Sequence, residues 1–183
     1  GVEPLATSVV SADFDGDGWA DLIAMRGDST RGLVGGVRVR FLLMNRPDPN
    51  DPKKRVFVDV PDQGGLLATR DGAGDRGASI ALVGDLDDDG DVDVITCPSD
   101  FTTNDVMLDT CAAFLNDGKA HFTLAPESVR DQRYPVTSAA LLDSDRDGFL
   151  DFWPAGMAHW PYGGIGGKWK TGPRLFGGAG AGA

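Results

Sequence analysis

Short apolar runs alternate along this chain with loops rich in aspartate and glycine. Three of these loops follow the pattern Asp-x-Asp-x-Asp-Gly-x-x-Asp, and an apolar run stands on either side of each loop. The runs before the loops cover residues 8–12, 79–83 and 137–142, and those after them cover 22–25, 92–96 and 150–153. Apolar runs this short, bounded by turn residues, are typical of β-strands. The pattern therefore predicts a strand–loop–strand unit that occurs three times.

The rest of the first two units also has a β pattern. Residues 37–44 alternate apolar and basic side chains at their start, which predicts a strand with one buried and one wet face, and a Pro/Asp/Asn-rich turn at 45–52 leads to a strand at 56–60. In the second unit, residues 112–115 and 121–124 flank Asn116-Asp117-Gly118, a strong hairpin signal. Four short strands in each repeat are typical of a β-propeller blade.

We therefore expect an all-β fold of consecutive four-stranded antiparallel blades, each with an acidic loop between its first two strands. The expected boundaries are 1–66 for blade 1, 67–130 for blade 2, 131–176 for an incomplete blade 3 and 177–183 for a Gly/Ala tail. In the third repeat only residues 173–176 resemble a further strand. Because a propeller usually has at least four blades, we expect a partial propeller that belongs to a larger protein or assembly.

The spacing of the aspartates is suited to a hard cation. Carboxylates at positions 1, 3, 5 and 9, with a glycine at position 6 for a sharp turn, bring several oxygens to one point. An EF-hand begins in the same way but needs a glutamate at position 12, where this chain has Ala24, Thr96 and Pro154. The sequence therefore predicts three calcium sites in loops between strands.

The motifs at 13–22, 85–94 and 143–152 resemble FG-GAP or VCBS repeats, the calcium-bearing blades of integrin α-subunit-like β-propellers. Residues 56–66, 78–94 and 114–118 are similar to the cartilage-acidic-protein branch of that family, and the resemblance covers roughly residues 5–153. It implies that four aspartate side chains and one backbone carbonyl bind each calcium ion. The implied ligands are Asp13, Asp15, Asp17, Asp21 and the carbonyl of Trp19; Asp85, Asp87, Asp89, Asp93 and the carbonyl of Asp91; and Asp143, Asp145, Asp147, Asp151 and the carbonyl of Phe149.

The formal net charge of −11 comes from these loops. The aspartates at positions 1, 3, 5 and 9 of the three loops are 12 of the 28 acidic residues, and the remaining 16 acidic residues face 17 basic ones. Three calcium ions would bring the total to −5. Nucleic acid is not an expected partner, because no basic stripe is present to neutralise phosphates.

The two cysteines, Cys97 and Cys111, stand at the ends of expected strands. They could be two buried thiols or a disulfide. We favour the disulfide because loops of this kind suit millimolar extracellular calcium. The same argument predicts an extracellular, secreted or cell-surface location, and no apolar run approaches the roughly 20 residues of a membrane span.

An aromatic and glycine-rich segment follows the third loop. Its candidate ligand-binding residues are Trp153, His159, Trp160, Tyr162 and Trp169. These rings could stack on a sugar or anchor a protein partner, or they could pack on the blade or on a neighbouring subunit. No nucleophile–base grouping, phosphate-binding loop or zinc spacing is evident, so we do not expect an enzyme.

We therefore expect a non-catalytic adhesion, scaffold or protein-interaction domain whose partner is a protein or glycan at the cell surface. One alternative is a carbohydrate-binding or polysaccharide-active propeller that uses residues 153–169. A second is a structural subunit of a surface assembly.

Overall fold

The computed structural model describes residues 8–25, 33–34, 37–38, 40–69, 72, 78, 80–97, 111–125 and 136–156. In these ranges the fold is all-β, with one short 3-10 helix at Gln63–Gly65 and no α-helix. None of the described residues forms a helix that could span a membrane. The strands, numbered in chain order, are β1 (Ser8–Ala12), β2 (Asp21–Met25), β3 (Leu33–Val34), β4 (Val37–Arg38), β5 (Arg40–Asp48), β6 (Asp51–Val60), β7 (Ile80–Gly84), β8 (Asp93–Cys97), β9 (Ala112–Asn116), β10 (Phe122–Leu124), β11 (Val136–Leu142) and β12 (Asp151–Gly156).

The strands form two four-stranded antiparallel sheets and two hairpins. The first sheet has the order β1-β2-β5-β6 and the second has the order β7-β8-β9-β10. Strands β11 and β12 pair as a third, two-stranded sheet, and β3 pairs with β4 apart from the first sheet. Strand β7 lies beside both β1 and β11, so the first strands of the three sheets are neighbours. The predicted strand–loop–strand unit is confirmed in all three copies.

The second sheet lies between two apolar clusters. Val94 belongs to the cluster shared with the first sheet, whereas its neighbour Ile95 belongs to the cluster shared with the third sheet. Every residue of β8 is buried. Because successive side chains of a strand point to opposite faces, a strand covered on both faces buries consecutive apolar residues, here Val94 and Ile95.

Close backbone packing joins the first sheet to the second. The 3-10 helix lies against β10, and a Cβ added at Gly65 would lie 2.2 Å from the carbonyl oxygen of Phe122. Gly65 also has a φ of 97°. Phe14, the second residue of the first acidic loop, packs edge-on against Phe122 with 5.6 Å between ring centroids. The first loop is therefore anchored in the core between the two sheets.

Cys97 and Cys111 form a disulfide, which confirms the pairing favoured from the sequence. The bond joins the end of β8 to the residue before β9, across 14 positions in sequence. Disulfides persist in oxidising compartments, so this bond is typical of a protein outside the reducing cytosol.

The predicted strand at residues 37–44 is divided. Val37 and Arg38 belong to β4, whose partner is β3, whereas β5 begins at Arg40 and joins the first sheet. The two residues between β3 and β4 in sequence are Gly35 and Gly36, and Gly-Gly is a hairpin signal. The prediction that the basic residues of this run are exposed to solvent is wrong for Arg40, which is fully buried. Its Nη2 donates to the carbonyl oxygen of Leu66 at 2.6 Å, and a buried guanidinium needs acceptors of this kind.

Two strands, β5 and β12, are longer than predicted and run through prolines. Strand β5 continues to Asp48 and β6 starts at Asp51, so the expected turn at 45–52 is reduced to two residues. Pro47 lies beyond the part of β5 that pairs with β2, so its missing N–H removes no hydrogen bond on that side. Strand β12 likewise continues through Pro154, and among the described strands it pairs with β11 alone.

Candidate metal centres in three acidic loops

The three acidic loops have the same place in their sheets. The first loop covers residues 13–21, the second 85–93 and the third 143–151, with positions counted from the first aspartate. In each loop, position 9 is the first residue of the following strand and pairs with the residue before position 1. The pairs are Ala12 with Asp21, Gly84 with Asp93 and Leu142 with Asp151. Strand pairing therefore brings the two ends of each loop together.

Backbone N–H groups hold the carboxylate at position 1 in all three loops. Its Oδ1 accepts from the N–H of position 5 and its Oδ2 from that of position 6, at 2.7–3.2 Å. The N–H of position 7 donates to Oδ1 of position 5 at 2.9–3.0 Å. Aspartate favours such local bonds to the following backbone. The loops are therefore folded around their own carboxylates.

Two positions of each loop have a left-handed backbone. At position 6, φ is 85° for Gly18, 94° for Gly90 and 92° for Gly148, as the sequence predicted for a glycine turn. At position 4, φ is 70° for Gly16, 65° for Asp88 and 63° for Arg146. Position 4 therefore keeps one conformation in all three loops although its residue differs.

The aspartate at position 9 is buried in the first two loops and connects each loop to the third strand of its sheet. In the second loop, Asp93 accepts from the N–H groups of Leu86 and Asn116, both at 2.8 Å. In the first loop, Asp21 accepts from Phe14 at 3.1 Å and from Asn45 at 2.7 Å. Each of these carboxylates uses both oxygens for backbone hydrogen bonds.

The third loop has a simpler arrangement at position 9. Oδ2 of Asp151 accepts from the backbone N–H of Ser144 at 3.0 Å and also from the Ser144 hydroxyl. Ser144 is exposed, whereas its counterparts Phe14 and Leu86 are buried in the core. In the third loop, the loop residue that donates to the position-9 carboxylate is therefore an exposed serine, whereas in the first two loops it is a buried apolar residue.

In the first two loops, the buried carboxylate at position 9 has a raised pKa, because its backbone hydrogen bonds offset only part of the cost of burying its charge. Burial raises the pKa of Asp93 to about 6; the N–H groups of Asn116 and Leu86 oppose this shift, and the charges of Asp87 and Asp89 add to it. Burial also raises the pKa of Asp21, against the N–H groups of Asn45 and Phe14. Both carboxylates would be stabilised in their ionised form by a nearby positive charge.

In each loop, three carboxylates come close enough to share one ion. Their oxygens lie within 4.8 Å of one another, in the groups Asp13, Asp15, Asp17; Asp85, Asp87, Asp93; and Asp143, Asp145, Asp147. The remaining predicted side-chain ligands, Asp21, Asp89 and Asp151, are outside these groups. Trp19, Asp91 and Phe149 each place their N–H on the carboxylate at position 5, and calcium binding by their carbonyls stays a prediction.

The chemistry of the second loop fits a hard cation. Its converging donors are all oxygens, which Ca²⁺ and Mg²⁺ prefer. Oδ1 of Asp87 is buried and has no hydrogen-bond partner among the described residues. Burial raises the pKa of Asp87, and the charges of Asp89 and Asp85 raise it further. A cation placed among these oxygens would supply the missing partner.

The first loop has a different electrostatic environment, because two arginines reach its carboxylates. Arg46 Nη2 lies 2.5 Å from Oδ2 of Asp15, and its Nη1 lies 3.3 Å from Oδ2 of Asp17. Arg55 Nη2 lies 3.4 Å from the same oxygen of Asp17. Among the described residues, no arginine or lysine pairs with the second loop.

Sequence reasoning missed four residues that shape these sites: Asn45 and Asn116, which bond to position 9, and Arg46 and Arg55. The asparagines had a detectable signal, because each directly follows the last apolar residue of the third strand in its sheet. The arginines had none, since their partners lie 29 to 38 positions away in sequence.

Of the predicted aromatic ligand residues, the structure describes Trp153. It lies in β12, opposite Ala140, and is partly exposed. His159, Trp160, Tyr162 and Trp169 lie outside the described residues, as does the expected strand at 173–176.

The chain was compared with known protein families, curated proteins and solved structures, and nothing matches in any of the three comparisons. The resemblance to calcium-bearing propeller repeats therefore rests on the sequence motifs alone.

Proposed function

We propose that this chain is part of an extracellular, calcium-stabilised β-propeller module that acts as a non-catalytic adhesion, scaffold or protein-interaction domain. The observation that carries the proposal is the repetition of one loop geometry three times, with the same hydrogen bonds around positions 1, 5 and 6. Turn formation alone does not explain why all three acidic loops bring the oxygens of three carboxylates within 4.8 Å of one another.

Calcium is the ion that suits these loops best. Ca²⁺ accepts six to eight oxygen ligands in flexible geometry, whereas Mg²⁺ requires a near-ideal octahedron and keeps several waters. The ligands would be the grouped aspartates, joined by the other carboxylate and carbonyl oxygens that the family resemblance implies. The ion would relieve repulsion between carboxylates and stabilise the connection between the first two strands of each sheet.

The arrangement of the sheets supports the propeller assignment. Two four-stranded antiparallel sheets follow each other in sequence, and the first strands of the three sheets lie side by side. A propeller places blades of this kind around a central channel, with equivalent strands innermost. The disulfide supports a location outside the cell. Extracellular calcium modules bind with dissociation constants of about 10⁻⁴ to 10⁻³ M, the range that we expect for these loops.

Calcium titration of the purified chain tests the proposal. We expect a heat of binding for about three ions in isothermal titration calorimetry and a higher melting temperature in Ca²⁺ than in EGTA, because a ligand that binds only the folded state stabilises it. The variant Asp87→Asn should lose the binding at one site. Asp51→Asn is a matched control, since Asp51 pairs with Lys54 away from the loops. Absence of both the heat and the shift in melting temperature would show that the loops are structural turns.

A further inference from the structure

The first and second loops share their backbone geometry but differ in what approaches their carboxylates. Both hold position 1 with the N–H groups of positions 5 and 6, and both bury position 9. In the second loop, a buried oxygen of Asp87 has no partner among the described residues. In the first loop, the equivalent residue, Asp15, is paired with Arg46.

Arg46 contacts two of the three grouped carboxylates of the first loop. One guanidinium nitrogen lies 2.5 Å from Asp15 and another lies 3.3 Å from Asp17. The Arg46 side chain is 36% exposed and that of Asp15 is 14% exposed, so the pair is partly shielded from water. A positive group of the chain itself therefore lies against two of the three carboxylates that would bind an ion in the first loop.

Arg55 strengthens this arrangement from the neighbouring strand. Its Nε donates to Oδ1 of Asn45 at 3.0 Å and its Nη2 donates to the Asn45 carbonyl at 2.6 Å. The guanidinium also lies over the ring of Trp19, 4.4 Å from its centroid. These contacts hold a second positive charge 3.4 Å from Asp17.

We propose that Arg46, supported by Arg55, is an internal counter-cation of the first loop, which competes with calcium for Asp15 and Asp17. The inference rests on the proposed function, namely that these loops bind calcium. Calcium entry requires Arg46 to leave two carboxylates, and both guanidinium groups repel the incoming ion. The first loop therefore keeps its shape at low calcium and fills after the second loop.

The test measures the calcium affinity of the first loop in the chain of 183 residues. Terbium(III) is the probe: its luminescence, excited through tryptophan, depends steeply on distance, and the part that is lost in Trp19→Phe reports the first loop. Calcium is then titrated against bound terbium. We expect Arg46→Gln to tighten calcium binding at this loop by roughly threefold to tenfold. Calcium then no longer has to break the ion pairs of Arg46, and the positive charge that repelled it is gone. Arg46→Lys, which keeps the charge, should bind much as the wild type does.

Lys54→Gln is the matched control. It removes one positive charge from β6, but its partner is Asp51 and not a loop aspartate. If Arg46→Gln and Lys54→Gln bind calcium as the wild type does, the counter-cation proposal is wrong while the calcium proposal stands. If calcium displaces no terbium and gives no heat with the wild type, calcium binding itself is wrong.

Melting temperatures give a second, independent measurement. In EGTA, Arg46→Gln should melt below the wild type, because the loop loses its internal positive charge. In saturating calcium, this difference should shrink or reverse. A variant that is equally destabilised in both conditions would show that Arg46 has a structural role only.

Discussion

Asn116 connects two acidic loops that belong to different sheets. Its backbone N–H donates to Asp93 of the second loop, while its Nδ2 donates to the carbonyl oxygens of Phe14 at 2.8 Å and Val92 at 3.1 Å. Phe14 belongs to the first loop, 102 positions away in sequence. One side-chain amide thus positions the backbone of both loops.

Asn116→Ala should therefore destabilise the fold. The substitution removes two side-chain hydrogen bonds and leaves the Val92 carbonyl without this donor, at a cost of about 1–3 kcal/mol in the free energy of unfolding. Urea unfolding followed by fluorescence measures this value. Asn50→Ala, in the exposed turn between β5 and β6, is the control and should cost less than about 0.5 kcal/mol. Equal stability of the two variants would contradict the role given to Asn116.

At the scale of single elements, the disulfide controls the connection between β8 and β9. Cys97 ends a strand that is buried along its whole length, and Cys111 is 2% exposed. The bond closes a loop whose ends are 14 positions apart. Chain-entropy arguments attribute about 3 kcal/mol of stabilisation to closing a loop of this size.

The double variant Cys97→Ser/Cys111→Ser should lose about this amount of unfolding free energy, measured by chemical denaturation in calcium. A reducing agent should lower the stability of the wild type and leave that of the double variant unchanged. The opposite result, a wild type insensitive to complete reduction, would mean that the closed loop does not restrict the unfolded chain.

The elements themselves follow closely from local sequence, and their exceptions have identifiable causes. The strand–loop–strand units and the glycine turn at position 6 are predictable, because short apolar runs and positive φ leave local signals. The burial of Arg40 is not, since a basic residue in an alternating run indicates a wet face until its distant acceptor, Leu66, is known.

The candidate sites show the same division between local and distant information. The spacing of the aspartates identifies the groups of three carboxylates, because strand pairing closes each loop on itself. The buried hydrogen bonds of Asp21 and Asp93 depend on asparagines more than 20 positions away, and the arginines of the first loop depend on the pairing of β5 with β6. The position of each asparagine after an apolar run is visible in the sequence, but its acidic partner, like the partners of the arginines, is set by strand pairing and not by local spacing.

At the scale of the whole molecule, the second sheet is a middle layer and the third sheet is an edge of the described structure. Strand β8 is covered on both faces and paired on both sides, with β7 and β9. Strand β12 is paired on one side in the part of the chain that the structure describes. Local opening is therefore expected to require much more free energy at β8 than at β12.

Native-state hydrogen exchange should show this gradient. We expect the amides of Val94 and Ile95 to exchange slowest, close to the rate set by global unfolding, and those of Phe152 and Trp153 to exchange fastest among the paired strands. The measurement is made by mass spectrometry or NMR in saturating calcium. Equal protection of β8 and β12 would indicate that the third sheet is covered as well as the second.

The carbonyl of Phe14 has a consequence for how this chain can be divided into fragments. It accepts hydrogen bonds from Asn116 and from Ala120, at 2.8 and 2.9 Å. The backbone of the first acidic loop is therefore held by the β9–β10 hairpin of the second sheet. A fragment that ends at residue 66 contains all four strands of the first sheet but neither of these donors. The sheet is thus not the self-sufficient unit of the molecule: the smallest piece expected to keep the first loop intact extends through β10 of the second sheet.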